Sequence, residues 1–145
     1  MSALPEAHGA VPRPVRTGTA LDLDSYPVVP AVTAGTLVST AGILPIDRHS
    51  GEIVPGGMRD QAQAALENLQ FVLATAGSRW DQVVFLDVVL ADVRQDFAQF
   101  NEAYVAFARG VFPPRRTIGA ERALPGLLIE VRATALRNTR KEPPD

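Results

Sequence analysis

The chain contains no cysteine, which excludes disulfides, thiol catalysis and thiolate metal sites. It has two histidines, His8 and His49. One falls in an N-terminal arm and the other in a turn, a poor metal pair, so no metal and no other cofactor is expected. No apolar stretch approaches the roughly 18 residues that a membrane span needs. Residues 1–20 mix proline, glycine and charge where a signal peptide would carry an apolar centre. An excess of charge of one sign is missing too: 14 Lys and Arg stand against 16 Asp and Glu, a net −2, with an isoelectric point near 5.7. That balance gives no global pull toward nucleic acid, whose binders carry a basic face. The expectation is a cytoplasmic protein with neither a membrane nor a nucleic-acid partner.

What is present suits one compact domain. The 145 residues are 46% hydrophobic and 21% charged, enough for a real core. Pro5, Pro12 and Pro14 mark residues 1–18 as a flexible arm. Residues 19–137 form the domain, and the polar stretch 138–145, ending Pro-Pro-Asp, is expected to fray.

Hydrophobic periodicity supplies the elements. An edge strand is expected over about 15–23, broken by Tyr26-Pro27 and Pro30. Residues 36–44 read as a strand bounded by Gly35 and Pro45. Asp47 to Glu52 read as a turn around Gly51, with Ile53 and Val54 starting the return. A helix follows over about 58–76, because Ala62, Ala65, Leu66, Leu69, Val72, Leu73 and Ala76 recur at 3–4 residue spacing, with Gly77 as its stop. In that helix Glu67 and Asn68 read as solvated. Residues 83–93 form a strand interrupted by Asp87, whose role the local sequence does not reveal. A second helix covers about 96–109, with Phe97, Phe100, Tyr104 and Phe107 as a core stripe. Strands over about 115–122 and 127–137 complete the chain. Two helices can cover only one face of such a mixed sheet. Leu37, Val84, Leu86 and Ile129 make the strands apolar enough for the other face to need a partner, and an oligomer that packs sheets together is the simplest one.

The most specific chemistry lies in Phe112-Pro113-Pro114-Arg115-Arg116-Thr117-Ile118-Gly119, followed fifteen residues after Arg115 by Glu130. Taken alone, Arg115 is an ordinary surface arginine and Glu130 a solvated strand residue. As a guanidinium and a carboxylate on adjacent strands, they are expected to hold a small carboxylate substrate and a water. Arg116 then points to the opposite face of its strand.

The order of several short motifs resembles the RidA/YjgF family, the reactive intermediate deaminases, over about residues 28–136. The motifs are Pro30-Ala31-Val32-Thr33-Ala34-Gly35-Thr36-Leu37-Val38, Gly42, Pro45, Ser50-Gly51-Glu52, Gln61, Ala65-Leu66-Glu67-Asn68-Leu69 and Ala76-Gly77. They continue with Asp96-Phe97-Ala98, Asn101-Glu102-Ala103-Tyr104, Pro113-Pro114-Arg115 and Ile129-Glu130-Val131. The resemblance implies a chorismate-mutase-like α+β fold, a mixed β-sheet with two helices on one face, assembled as a homotrimer with sites between subunits. It implies hydrolysis of small 2-imino or enamine acids to 2-keto acids and ammonia, without a cofactor. Arg115 then grips the substrate carboxylate, Glu130 positions water, Gly42 leaves room for ligand, and Asn101 lies near the site. Three positions depart from the family: Val28 where a tyrosine lines the site, Ala41 where a serine precedes the glycine, and Thr117 where a cysteine contributes largely through its backbone. These departures keep open a non-catalytic module that binds a small carboxylate or regulates a partner, or an imine-handling protein of a biosynthetic pathway. The family has also been named for ribonuclease activity. The acidic balance and the lack of a histidine at the site argue against RNA cleavage here.

Overall fold

The computed structural model describes residues 11–121 and 124–139. Residues 1–10 of the expected arm and 140–145 of the expected tail lie outside the described residues. Six strands form one sheet: β1 Arg13–Val15, β2 Ala31–Ala34, β3 Leu37–Thr40, β4 Ser78–Leu90, β5 Arg115–Gly119 and β6 Ile129–Arg137. Their order across the sheet is β1-β2-β3-β6-β4-β5. Every pair is antiparallel except β4 with β5. Helix α1, Met58–Thr75, connects β3 to β4, and α2, Val93–Ala108, makes the crossover that a parallel pair requires. No helix among the described residues is long and apolar enough to cross a membrane.

Both helices lie on one face of this α+β fold, and the alternation of burial along the central strands shows which face. On β6, Ile129, Val131, Ala133 and Ala135 are buried, while Glu130, Arg132 and Thr134 between them are half-buried. On β4, Leu86, Val88 and Leu90 face the helices. They meet Ala62, Ala65, Leu66, Leu69, Val72 and Leu73 of α1 and Phe100, Tyr104 and Ala108 of α2. Burying each large aliphatic side chain contributes about 1.5–3 kcal/mol.

Several expectations are corrected by this arrangement. Leu86 and Ile129 belong to the helix-covered face and are fully buried, whereas Leu37 and Val84 are exposed. Arg13–Val15, placed in the flexible arm, pairs with β2. Strand β2 itself was not expected; Gly35, at a positive φ of 58°, lets the chain reverse within two residues into β3. Strand β4 starts at Ser78 rather than 83. Its early part twists through two register irregularities against β6. In α2 the core stripe is Phe100 and Tyr104, with Phe107 half-buried and Phe97 43% exposed.

Asn68, expected in solvent, is buried, whereas Glu67 is exposed. Its Nδ2 donates to the carbonyls of Leu44 (2.9 Å) and Ile46 (2.8 Å). Helix α1 thereby holds the segment that follows β3, where Ile46 also bridges Ile53. The N-terminal segment is tied in similarly. Asp22 accepts from Thr17 N (2.7 Å), Thr17 Oγ1 (2.7 Å) and Gly18 N (2.9 Å). Burial pushes the Asp22 carboxyl up, but these bonds and nearby Arg16 outweigh it and hold it below its usual 3.8.

Asn68→Ala strands two carbonyls and is expected to lower unfolding free energy by about 1–3 kcal/mol in urea titrations. Because the folded-state pKa of Asp22 is depressed, its contribution is fully present above the unfolded value and lost as pH falls through the folded one. Asp22→Asn should therefore destabilise at pH 7 by about 1–3 kcal/mol. Its deficit relative to the parent protein should shrink when the titrations are repeated near pH 3.

Candidate functional site

Arg115 opens β5, the edge strand beside β4. Pro113 and Pro114 hold the entry extended, and Pro114 O accepts from Leu86 N at 2.9 Å. At the other end Ala120 N donates to Leu90 O at 3.0 Å. In a parallel pair the bonding residues alternate. Even-numbered residues of β5 therefore bond β4, and Arg115, Thr117 and Gly119 direct their peptide groups to the open edge. The register Leu86↔Arg115 and Val88↔Thr117 puts both side chains on the helix face.

There the Arg115 guanidinium donates from Nη2 to Asn101 Oδ1 at 2.7 Å. It lies 5.1 Å from the ring centre of Phe100 and 4.8 Å from that of Tyr104. Two aromatic faces and one amide thus fix the cation. The hydroxyls of Tyr104 and Thr117 are buried and have no hydrogen-bond partner among the described residues. Burial pushes the Tyr104 phenol up, with Arg115 opposing, so the ring stays neutral at physiological pH.

Glu130 sits elsewhere. It pairs with Val89 across β4–β6, and its carboxylate occupies the space that a side chain on Gly42 would fill. Only glycine at position 42 permits this contact. Ala41 N donates to Pro30 O at 2.8 Å, one step beyond the last β2–β3 pair, Ala31 with Thr40. Val28, ahead of Pro30, is 39% exposed. Gly42 and Glu130 thus form one group, and Arg115, Asn101 and Thr117 form another.

The two groups do not meet within one chain. Strand β4 separates β5 from β6, which corrects the expectation of adjacent strands. Arg115 is level with Leu86 and Glu130 with Val89, three residues apart on β4, so they project from opposite faces of the sheet. Arg116 does face away from Arg115, as expected, and donates to Asp87 at 2.9 Å. Asp87 also accepts from Arg132 at 3.1 Å, and Arg132 reaches Ser39 Oγ (3.1 Å) and Thr134 Oγ1 (3.2 Å). This network on the open face was missed. Its signal is the alternation of Glu130, Arg132 and Thr134 with buried residues on β6. Among the described residues no group of three or more His, Cys, Asp or Glu is arranged to hold a metal.

A mixed six-stranded sheet with two helices on one face, and a guanidinium fixed at its edge, defines the class. Residues 22–137 match the family described as Endoribonuclease L-PSP, and the chain belongs to this RidA/YjgF family. It is 36% identical over 111 residues to a RutC family protein of Pyrococcus horikoshii, covering 77% of this chain and 87% of that one. It is 35% identical over 107 residues to the 2-iminobutanoate/2-iminopropanoate deaminase of Rattus norvegicus, covering 74% and 77%. The structure of Escherichia coli TdcF with bound serine superposes with a TM-score of 0.72 at 31% identity, covering 78% of this chain and 90% of that one.

Gly42→Ala meets the movable end of the Glu130 side chain. The variant is expected to fold with stability within about 1 kcal/mol of the parent. Its crystal structure should show the Glu130 carboxylate displaced from position 42.

Proposed function

We propose that the protein hydrolyses small 2-imino acids, or the enamines in equilibrium with them, to 2-keto acids and ammonia, and that each active centre forms between two copies of a homotrimer. The observation that carries this is the split site. Arg115 and Glu130 match the family's functional positions yet lie on opposite faces of one sheet. Arg115 of one copy and Glu130 of the next complete a centre that neither copy holds alone. The open sheet face supports the assembly, since Leu37, Ile118 and Leu136 are 42–47% exposed there. The relative named as a 2-iminobutanoate/2-iminopropanoate deaminase and the serine-bound TdcF structure point to small amino-acid-like carboxylates.

The chemistry asks little of the protein. The guanidinium binds the substrate carboxylate through its remaining N–H groups. Thr117 N–H, directed to the open edge, adds a donor. A protonated imine is already electrophilic, so Glu130 need only orient water and take its proton as the C–O bond forms. The proton passes to the nitrogen, the C–N bond breaks, and the keto acid and ammonium leave. A second reading, a binding module without turnover, is favoured by Val28 and Ala41, which offer no hydroxyl at the site.

Imines are generated with an amino acid oxidase, and those remaining are trapped with semicarbazide. The protein should accelerate imine loss, and Arg115→Ala and Glu130→Gln should each remove most of the activity. No acceleration across several imines, with tight 2-keto acid binding by calorimetry, would establish the binding module instead. When equal amounts of the two inactive variants are unfolded together and refolded with random assortment, about a quarter of all centres regain both native residues. Activity should return to that level. A mixture that stays inactive, with mixed trimers shown by mass spectrometry, would place both residues in one copy.

A further inference from the structure

Tyr104 stands where α2, the loop that leaves it and the Arg115 guanidinium meet. Its ring centre lies 4.8 Å from Arg115 Cζ and 5.7 Å from the ring of Phe100, and the two rings are only 24° from parallel. Residues four apart on a helix share one face. Together the rings offer the cation a continuous aromatic floor, within the roughly 6 Å over which a ring attracts it. Tyr104 also packs at 5.9 Å against Phe112, three residues before Arg115. It therefore touches both the cation and the loop that delivers it. Trp80 meets Tyr104 in a T-shaped contact at 6.0 Å and donates from Nε1 to Val111 O at 3.0 Å, tying down the same loop. The Tyr104 hydroxyl is buried with no hydrogen-bond partner among the described residues, so ring packing and not the hydroxyl sets its place.

We propose that Tyr104 is a positioning residue for the carboxylate clamp: its ring, with Phe100 beside it, holds the plane of the Arg115 guanidinium so that the N–H groups not engaged by Asn101 stay directed at the substrate carboxylate. The proposal rests on the imine-deaminase reading for the substrate it names. A guanidinium grips a carboxylate with two parallel bonds only when its planar fork is correctly directed. The Asn101 bond pins one nitrogen, Nη2, and leaves the plane free to turn about it. An aromatic floor removes that freedom. Tyr104 acts through Arg115, with no bond of its own to the substrate. Because the carboxylate is held alike in the ground and transition states, a misdirected clamp raises KM and spares kcat.

Calorimetry with pyruvate and steady-state kinetics with its imine, on the intact chain, test this. Tyr104→Leu should weaken pyruvate binding and raise KM by about 5- to 10-fold, with kcat within about 2-fold of the parent. Tyr104→Phe keeps the ring and should restore all three to within about 2-fold. A fall in kcat at unchanged KM in Tyr104→Leu is what loss of folded protein alone produces, and it overturns the proposal. Tyr104→Phe as impaired as Tyr104→Leu also overturns it, by giving the role to the hydroxyl. The unliganded parent provides a readout that needs no Leu variant to fold. The Arg115 Nε–H signal in NMR, assigned with Arg115→Lys, should be as ordered as the backbone, and a side chain as mobile as a solvent-exposed arginine overturns the proposal. A parent that binds no pyruvate and turns over no imine fails the functional reading, while the order of Arg115 still decides the positioning.

Discussion

The pairing of β4 with β6 is the interaction on which the molecule depends. These two long strands form the most extensive pairing of the sheet, and both helices pack against it. Because side chains alternate across a pleat, the register of this pair decides at once which residues fill the core and which face away. Ile129, Val131, Ala133 and Ala135 are committed to the helices, so Glu130, Arg132 and Thr134 are committed to the other side. A slip of one residue would bury a carboxylate and a guanidinium under α1.

The same parity organises the chemistry. Arg115 reaches the helix face because β5 pairs with β4 in one register, and there Asn101, Phe100 and Tyr104 hold it. One position later, Arg116 turns to the open face and joins Asp87 and Arg132. Two adjacent arginines thus serve separate purposes with no loop or insertion between them. Neighbouring residues on one strand become members of different neighbourhoods, one among Asn101, Phe100 and Tyr104 of α2 and one on the sheet's outer surface.

Helix α1 was plain in the sequence because its alanines and leucines repeat at 3–4 residue spacing over five turns. The resemblance named the candidate site residues, and the structure sets Arg115 against Asn101 and Glu130 against Gly42. What stayed hidden depends on distant partners. Asp87 interrupts an apolar run without apparent reason until Arg116 and Arg132 arrive from 29 and 45 residues away. Asn68 looks like any polar helix residue, since its two carbonyl partners lie 24 and 22 residues earlier. Leu86 and Ile129 are apolar on any face, and only pairing shows that helices already cover them. Strand β2 is short, alanine-rich and preceded by Pro30, so it lacks the β-branched signature. The spacing of Arg115 and Glu130 carries no information about β4 lying between them.

The two ends of the sheet bear on how the chain behaves in a crowded solution. Among the described residues each end is an edge strand, the usual template for runaway strand addition between molecules. Here β1 is only three residues long with Pro14 at its centre, and β5 is entered through Pro113-Pro114 and opens with two arginines. Missing N–H groups, short length and like charge all discourage a second chain from adding to these edges. Encounters between separated copies are therefore biased away from fibre-like growth.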